Sequence, residues 1–242
     1  MPGLVPRFEL PKWRERYGVV AGITGRGSGP LPFDLGLGGT VATVGLVLHR
    51  WHDLQAAVPG CTSMVVSRQV HGTSVAWHES LRGLTILTGV DGHATATVGV
   101  FLAVSAADCI PVYIVDPVRR AVALVHAGWR GTVGRILPKG IAELVNRGSR
   151  VEHLVVHCGV GICGRCYEVG PEVFTGCGLA APAGGKGRFD LRGVLAAQAR
   201  DAGVETVSTS EFCSAHDPGL FFSHRVSGGA DGRMVAYLGL VA

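Results

Sequence analysis

Three segments each end an apolar run abruptly on a side chain able to bind a metal: Gln69-Val70-His71-Gly72, Ala107-Asp108-Cys109-Ile110-Pro111 and His126-Ala127-Gly128-Trp129-Arg130-Gly131. Two imidazoles and a thiolate are nitrogen and soft sulfur donors suited to zinc. Three protein ligands leave the fourth tetrahedral position open, the arrangement of a catalytic rather than a structural site. Without metal, Cys109 becomes a nucleophile with His126 or His71 as its base, which is the chemistry of amide hydrolysis or deamidation. Taken singly each residue has a plainer role, since cysteine is a common core residue and a lone histidine is usually just hydrogen-bonded. Cys163-Gly-Arg-Cys166 is a lone C-x-x-C with no second pair and no thioredoxin-like start, and it reads as reduced thiols beside the pocket.

Ligands so far apart in sequence can meet only if rigid elements end near one another, as strand ends do in a sheet protein. Gly18 to Ile23 reads as a strand and the Gly-rich stretch from Gly25 to Gly39 as loop, with no P-loop Lys-Ser/Thr ending. Val44 to Ala57 has helical spacing, while Ser63 to Gln69 and Thr73 to His78 read as strands that leave His71 at a turn between them. Val100 to Ala106, Val112 to Val115 and Ala121 to Val125 are continuous apolar runs of strand length, the pattern of buried sheet. Thr132 to Asn146 has helical periodicity with Pro138 inside it, which predicts a kink or a break there. Leu154 to His157 is a further strand and Tyr167 to Phe174 a short helix. Ala180 to Gly187 is a loop, Leu191 to Ala202 a helix stopped by Gly203, and Thr206 to Ser208 and Met234 to Leu240 are the last strands.

Of the 242 residues 47% are hydrophobic and 17% charged, which excludes the disordered class and allows a sizeable core. The net charge of +4, from 22 basic and 18 acidic residues, is scattered without a block of like charge, so no nucleic-acid partner is expected. No apolar run is long enough to cross a bilayer and the first residues lack the pattern of a signal peptide, which predicts no membrane association. Seven cysteines, an odd number in a chain too large to need a disulfide framework, fit reduced thiols and a cytoplasmic location. Residues 1–242 read as a single α+β or α/β domain.

In order along the chain, the three donor segments stand with Asp91-Gly92 and Thr95, Cys166-Tyr167-Glu168-Val169-Gly170, Phe189-Asp190-Leu191, Asp217-Pro218 and Leu220-Phe221-Phe222-Ser223-His224-Arg225. This ordered set resembles the YfiH family, also called laccase-domain or multicopper polyphenol oxidase proteins, over most of the chain. His-Ala-Gly-Trp-Arg-Gly is its most diagnostic piece. The resemblance implies an α+β fold, a layered α/β/β/α sandwich of the YfiH-like, cysteine-hydrolase-related type, with His71, Cys109 and His126 as zinc ligands and catalytic residues. It further implies phosphorolysis of adenosine, inosine and methylthioadenosine, with adenosine deamination as a second activity. Purine nucleosides and phosphate are then the partners, the chain a monomer or weak homodimer, and copper a substitute metal in vitro.

Phosphorolysis needs cations for phosphate and a group that stabilises the departing purine. Arg26, Arg130 and Arg225 are the candidates for phosphate, and Tyr167, with Trp129, for stacking on the base. Asp108, next to Cys109, is a candidate proton carrier in deamination, although strand alternation would turn it to the opposite face. Four departures from the family pattern stand out. Thr24-Gly25-Arg26-Gly27 only echoes a Ser-Thr-Arg-x-Gly-Gly stretch, Asp34 replaces a neutral amide, Ala106 a threonine and His224 a tyrosine. An acidic Asp34 in the pocket would change substrate contacts or repel phosphate. The runner-up activity is a cysteine-type amide hydrolase editing peptidoglycan precursors. Copper-dependent phenol oxidation ranks last, because the ten histidines contain no His-x-His pair.

Overall fold

The computed structural model describes residues 5–29, 31–38 and 41–242, so the reading of Met1 to Leu4, and Gly39 at the end of the expected loop, lie outside the described residues. The chain begins with β1 (Arg7–Glu9), α1 (Trp13–Tyr17), β2 (Val19–Thr24) and α2 (Val44–Ala57). Thr43 caps α2, its hydroxyl accepting from Leu46 N at 3.4 Å. There follow β3 (Ser63–Arg68), β4 (Val75–His78), β5 (Gly83–Thr88), β6 (Gly92–Thr95), β7 (Val100–Ala106), β8 (Ile110–Asp116) and β9 (Ala121–Ala127). After these come α3 (Trp129–Val133), α4 (Ile136–Val145), β10 (Val155–Cys158), β11 (Glu168–Val169) and α5 (Pro171–Gly176). The chain ends with β12 (Gly187–Arg188), α6 (Leu191–Asp201), β13 (Thr206–Thr209), α7 (His224–Ser227) and β14 (Met234–Leu240).

Two six-stranded mixed sheets form, in the orders β1-β2-β14-β7-β3-β5 and β13-β10-β8-β9-β6-β4. Strand alternation explains the layering. On β7, Leu102 and Val104 face the second sheet, meeting Val122 and Leu124 of β9, while Phe101 and Ala103 face outward onto Trp51 and Leu54 of α2. On β8 and β9, Ile114, Ala123 and Val125 face the opposite way, onto Leu137 and Ile141 of α4 and Leu195 of α6. A helix thus covers the outer face of each sheet, and both faces of the central strands are buried. That is why those strands read as unbroken apolar runs.

Pro138 does not break a helix. It stands third in α4, in the first turn, where the missing N–H has no intrahelical partner to lose. The break falls earlier, at Gly134 and Arg135, the latter in the left-handed region at φ 62°. Tyr167 to Phe174 is not one helix either: Glu168 and Val169 pair with Gly187 and Arg188, and α5 starts at Pro171. Among the described residues no helix is long and apolar enough to cross a membrane.

Candidate metal centre and its cavity

The chain crosses between the sheets repeatedly, and the crossovers that follow β3 and β7, two parallel neighbours, lie at one end of the sandwich. His71 sits on the first and Cys109 on the second. His126 stands near the end of β9, where alternation places it with Val122 and Leu124 between the sheets. One donor atom from each of His71, Cys109 and His126 lies within 4.8 Å of the others, and the two imidazole rings meet edge to face at 4.9 Å. His126 is buried, Cys109 half-buried, and His71 exposed. A Cβ on Gly128 would lie 3.0 Å from the Cys109 sulfur and 3.1 Å from His71 Cδ2, so glycine keeps the space beside the donors clear.

Asp91, fully buried just before β6, holds two of the three donors. Its carboxylate accepts from the backbone N–H groups of Val70 (3.1 Å), His71 (2.9 Å) and Gly72 (2.9 Å), which fixes His71 in the left-handed region at φ 59°. The same carboxylate lies 3.0 Å from His126 Nδ1, leaving Nε2 for the centre. Burial opposes ionisation of Asp91, but His126 and the Gly72 and Val70 N–H groups outweigh it and lower its pKa. Burial also opposes a Cys109 thiolate. The charge and hydrogen bond of His126, with a further bond from His71, overcome this and bring the thiol down to about 6. His126 moves the other way, to about 9: burial alone would lower it, and the Cys109 thiolate and Asp91 raise it.

These donors open into a cavity of about 660 Å³. Arg130, Tyr167 and Arg225 line it as expected, with the Arg225 guanidinium stacked 5.0 Å from the Tyr167 ring and Arg130 4.4 Å from Trp129. Ala106 and His224, two of the departures, line it as well. Arg26 and Asp34 do not. Arg26 is committed to Asp231, with Nη1 at 2.8 and 2.9 Å from its two oxygens, and lies over Phe222. Asp34 is fully buried, its Oδ1 accepting from Gly36 N and Arg233 N, each at 2.8 Å. It shapes the wall from behind and presents no charge to a ligand. Asp108 escapes strand alternation because β7 has ended: at φ 82° its carboxylate turns to Ser214 Oγ (2.6 Å) and Arg225 N (2.6 Å), which makes it a loop anchor.

Sequence reasoning missed Arg68 and Arg233, which also line the cavity, and the orienting role of Asp91. No spacing signal marks the arginines. Asp91 was visible only as part of an Asp-Gly pair. The reading of Cys163-Gly-Arg-Cys166 as a lone pair is corrected too: Cys163 and Cys166 converge with Cys213 and His216, which form the C-x-x-H that completes a second cluster.

The family model described as multi-copper polyphenol oxidoreductase laccase matches residues 43–241. A purine nucleoside phosphorylase of Deinococcus radiodurans is 39% identical over 178 residues, covering 71% of this chain and 68% of that protein. A protein named adenosine deaminase RL5, from an unknown prokaryotic organism, is 37% identical over 189 residues, covering 70% and 72%. The solved structure of the hypothetical protein YfiH from Bacillus licheniformis superposes with a TM-score of 0.88 over 99% of this chain and 98% of that one, at 26% identity.

Proposed function

Because this chain belongs to the multi-copper polyphenol oxidoreductase laccase family, the YfiH family of the sequence resemblance, we propose that it is a zinc-dependent purine nucleoside phosphorylase. Its substrates are adenosine, inosine and methylthioadenosine with inorganic phosphate, and adenosine deamination is a second activity. The observation that carries this reading is a single cavity with the His71, Cys109 and His126 donors in its wall and the arginines 68, 130, 225 and 233 around it. The named relatives support the reaction class. The chain acts as one cytoplasmic domain, a monomer or weak homodimer, with no nucleic-acid or membrane partner.

The donors fit zinc. Cys109 is a thiolate at neutral pH, His126 is turned by Asp91 to present Nε2, and Gly128 leaves room beside both. Bound there, zinc supplies Lewis acidity toward an oxygen or nitrogen of the substrate. In phosphorolysis an oxygen of phosphate bonds to the ribose C1′ as the C1′–N9 bond breaks, and the electron pair leaves with the purine. The arginines hold phosphate through planar donor forks and offset its charge, with Arg225 pinned by Glu168 O at 2.7 Å. Tyr167 stacks on the base. Burial, with the Cys109 charge adding to it, pushes the phenol up to about 12, so the ring stays neutral as it stacks.

The test assays purified protein for adenine and hypoxanthine release from adenosine and inosine, with and without phosphate, beside Cys109→Ala. Release should require phosphate and collapse in the variant. Base release indifferent to phosphate, or full activity in Cys109→Ala, sinks the proposal.

One observation favours the runner-up. Asp91, His126 and Cys109 stand in the order of an orienting acid, a base and a nucleophile, with the thiol already lowered. On this reading, which also revives the cysteine-hydrolase relationship of the fold, the metal-free protein cleaves a peptidoglycan-precursor amide. Amine release that persists in chelator and stops on alkylation of Cys109 supports it, and the absence of such release removes it.

A further inference from the structure

The C-x-x-C pair has no part in the cavity chemistry, yet it is not isolated. Cys163 and Cys166 lie on the loop after β10, and Cys213 and His216 on the turn after β13. One donor atom from each lies within 4.8 Å of the other three. Cys163 Sγ is 3.6 Å from His216 Nδ1, and Cys166 Sγ is 3.2 Å from Nε2. Cys163 N donates to Cys213 Sγ at 3.3 Å. Zinc–sulfur and zinc–nitrogen bonds of ordinary length, set tetrahedrally, separate a sulfur from a nitrogen by about 3.6 Å. The two sulfurs stand at different nitrogens of His216, and a turn of this exposed ring brings one nitrogen to the fourth corner beside the three sulfurs.

Packing does not account for this convergence. Cys163 and Cys166 are half-buried and His216 is exposed, so only Cys213 gains the apolar surroundings that ordinarily explain a cysteine. Three thiols and an imidazole from two short C-x-x-Cys/His turns are the donor set of a closed zinc site, and sulfur softness disfavours magnesium or calcium. With four protein ligands no position stays open for substrate. We propose that Cys163, Cys166, Cys213 and His216 bind one zinc ion as a structural centre, which staples the loop at 161–167 to the turn at 210–217 behind the wall of the cavity.

The staple reinforces contacts that already join the two segments. Gly161 and Cys213 form a bridge, Ser214 N donates to Gly161 O at 3.1 Å, and Arg192 reaches the carbonyls of Gly161, Ser210 and Phe212. Tyr167 follows Cys166 directly. Ser214 holds Asp108, which in turn holds the backbone of Arg225. The centre thus sets where Tyr167 and Arg225 stand without touching a ligand itself, and its loss raises KM more than it lowers kcat.

The test counts zinc per chain in wild type, Cys109→Ala and the double variant Cys163→Ser/Cys166→Ser, all prepared anaerobically. Two, one and one are expected. Cobalt loaded into Cys109→Ala should show the intense sulfur-to-metal bands of three thiolates, and these should vanish when the serine pair is added. His216→Ala alters an exposed side chain and keeps the fold; it should speed zinc release to a chelating dye at least tenfold. If the serine pair leaves the zinc count unchanged, or His216→Ala leaves zinc release unchanged, the structural centre does not exist. The cavity zinc is tested separately, by the count in Cys109→Ala, so one proposal can fail without the other.

Discussion

The two clusters of cysteine and histidine use the same atoms to opposite ends. The one in the cavity takes three donors from the ends of secondary-structure elements far apart in sequence, backs two of them with Asp91, and faces about 660 Å³ of open space. The other takes four donors from two tight turns and lines no part of that cavity. An open position on a rigid frame serves chemistry, because substrate can enter while the donors cannot relax around it. A closed set on loops serves stability, because the ion supplies the order that sheet hydrogen bonds would otherwise give.

The contrast breaks if the two losses resemble each other. Cys109→Ala should lower kcat/KM for phosphorolysis by about a thousandfold, the worth of several kcal/mol of lost charge stabilisation, and lose less unfolding stability than the loss of the four-ligand centre does at the same free zinc, because three donors hold the ion less tightly than four. The Cys163→Ser/Cys166→Ser chain should do the reverse. At free zinc a thousandfold above the dissociation constant it should lose about 4 kcal/mol of unfolding stability, while keeping kcat/KM within about tenfold. Urea unfolding and initial-rate kinetics on the same preparations decide the matter. Equal stability losses would mean that the two sites hold zinc equally tightly and that donor number does not separate them.

The Asp91 carboxylate sharpens the comparison at the level of a single atom pair. Asp91→Asn keeps the shape but sets an amide among three backbone N–H groups and His126 Nδ1, so it cannot accept from all of them. Zinc affinity of the cavity centre should fall by about 10- to 100-fold, the usual cost of losing a ligand's orienting partner. Competition with a chelating dye would then show one weakened zinc and one unchanged zinc per chain. Two weakened sites would mean that Asp91 supports the fold as a whole.

Legibility followed the range of the interaction that decides each feature. α2, β7 and β14 lie where periodicity places them, and β8 and β9 extend one or two residues beyond the runs that mark them, because burial on one or both faces is written in local spacing. α1, β5 and β6 leave no such signal: α1 is only five residues long, and pairing across the sheets rather than local pattern makes β5 and β6. Asp34 shows the limit for the site. Its residue type suggests a charge facing phosphate, but its direction is set by Gly36 N and by Arg233 N, the latter 199 positions away. The second cluster lay within reach, since Cys213-x-x-His216 is as regular as Cys163-x-x-Cys166 and went unpaired only because the two turns are so far apart along the chain.

Two further imidazoles meet without a thiol, and they test whether a buried histidine pair must hold a metal at all. His93 is fully buried, with Nε2 at 3.1 Å from Ser67 Oγ and Nδ1 at 3.0 Å from His78 Nε2. Burial, with the neighbouring His78 adding to it, lowers its pKa to about 3. The folded chain therefore keeps His93 neutral, while the unfolded chain takes up a proton below its ordinary pKa of about 6.5. Stability from this residue is complete above that value and falls as the pH drops from about 6.5 toward about 3, by about 1.4 kcal/mol per pH unit over most of that range. In His93→Gln the slope of unfolding free energy against pH between 6 and 4 should be shallower than wild type by one proton, with the zinc count unchanged at both centres. An unchanged slope would show that His93 carries a proton in the folded state, and a lost zinc would show that it supports the cavity centre through Ser67.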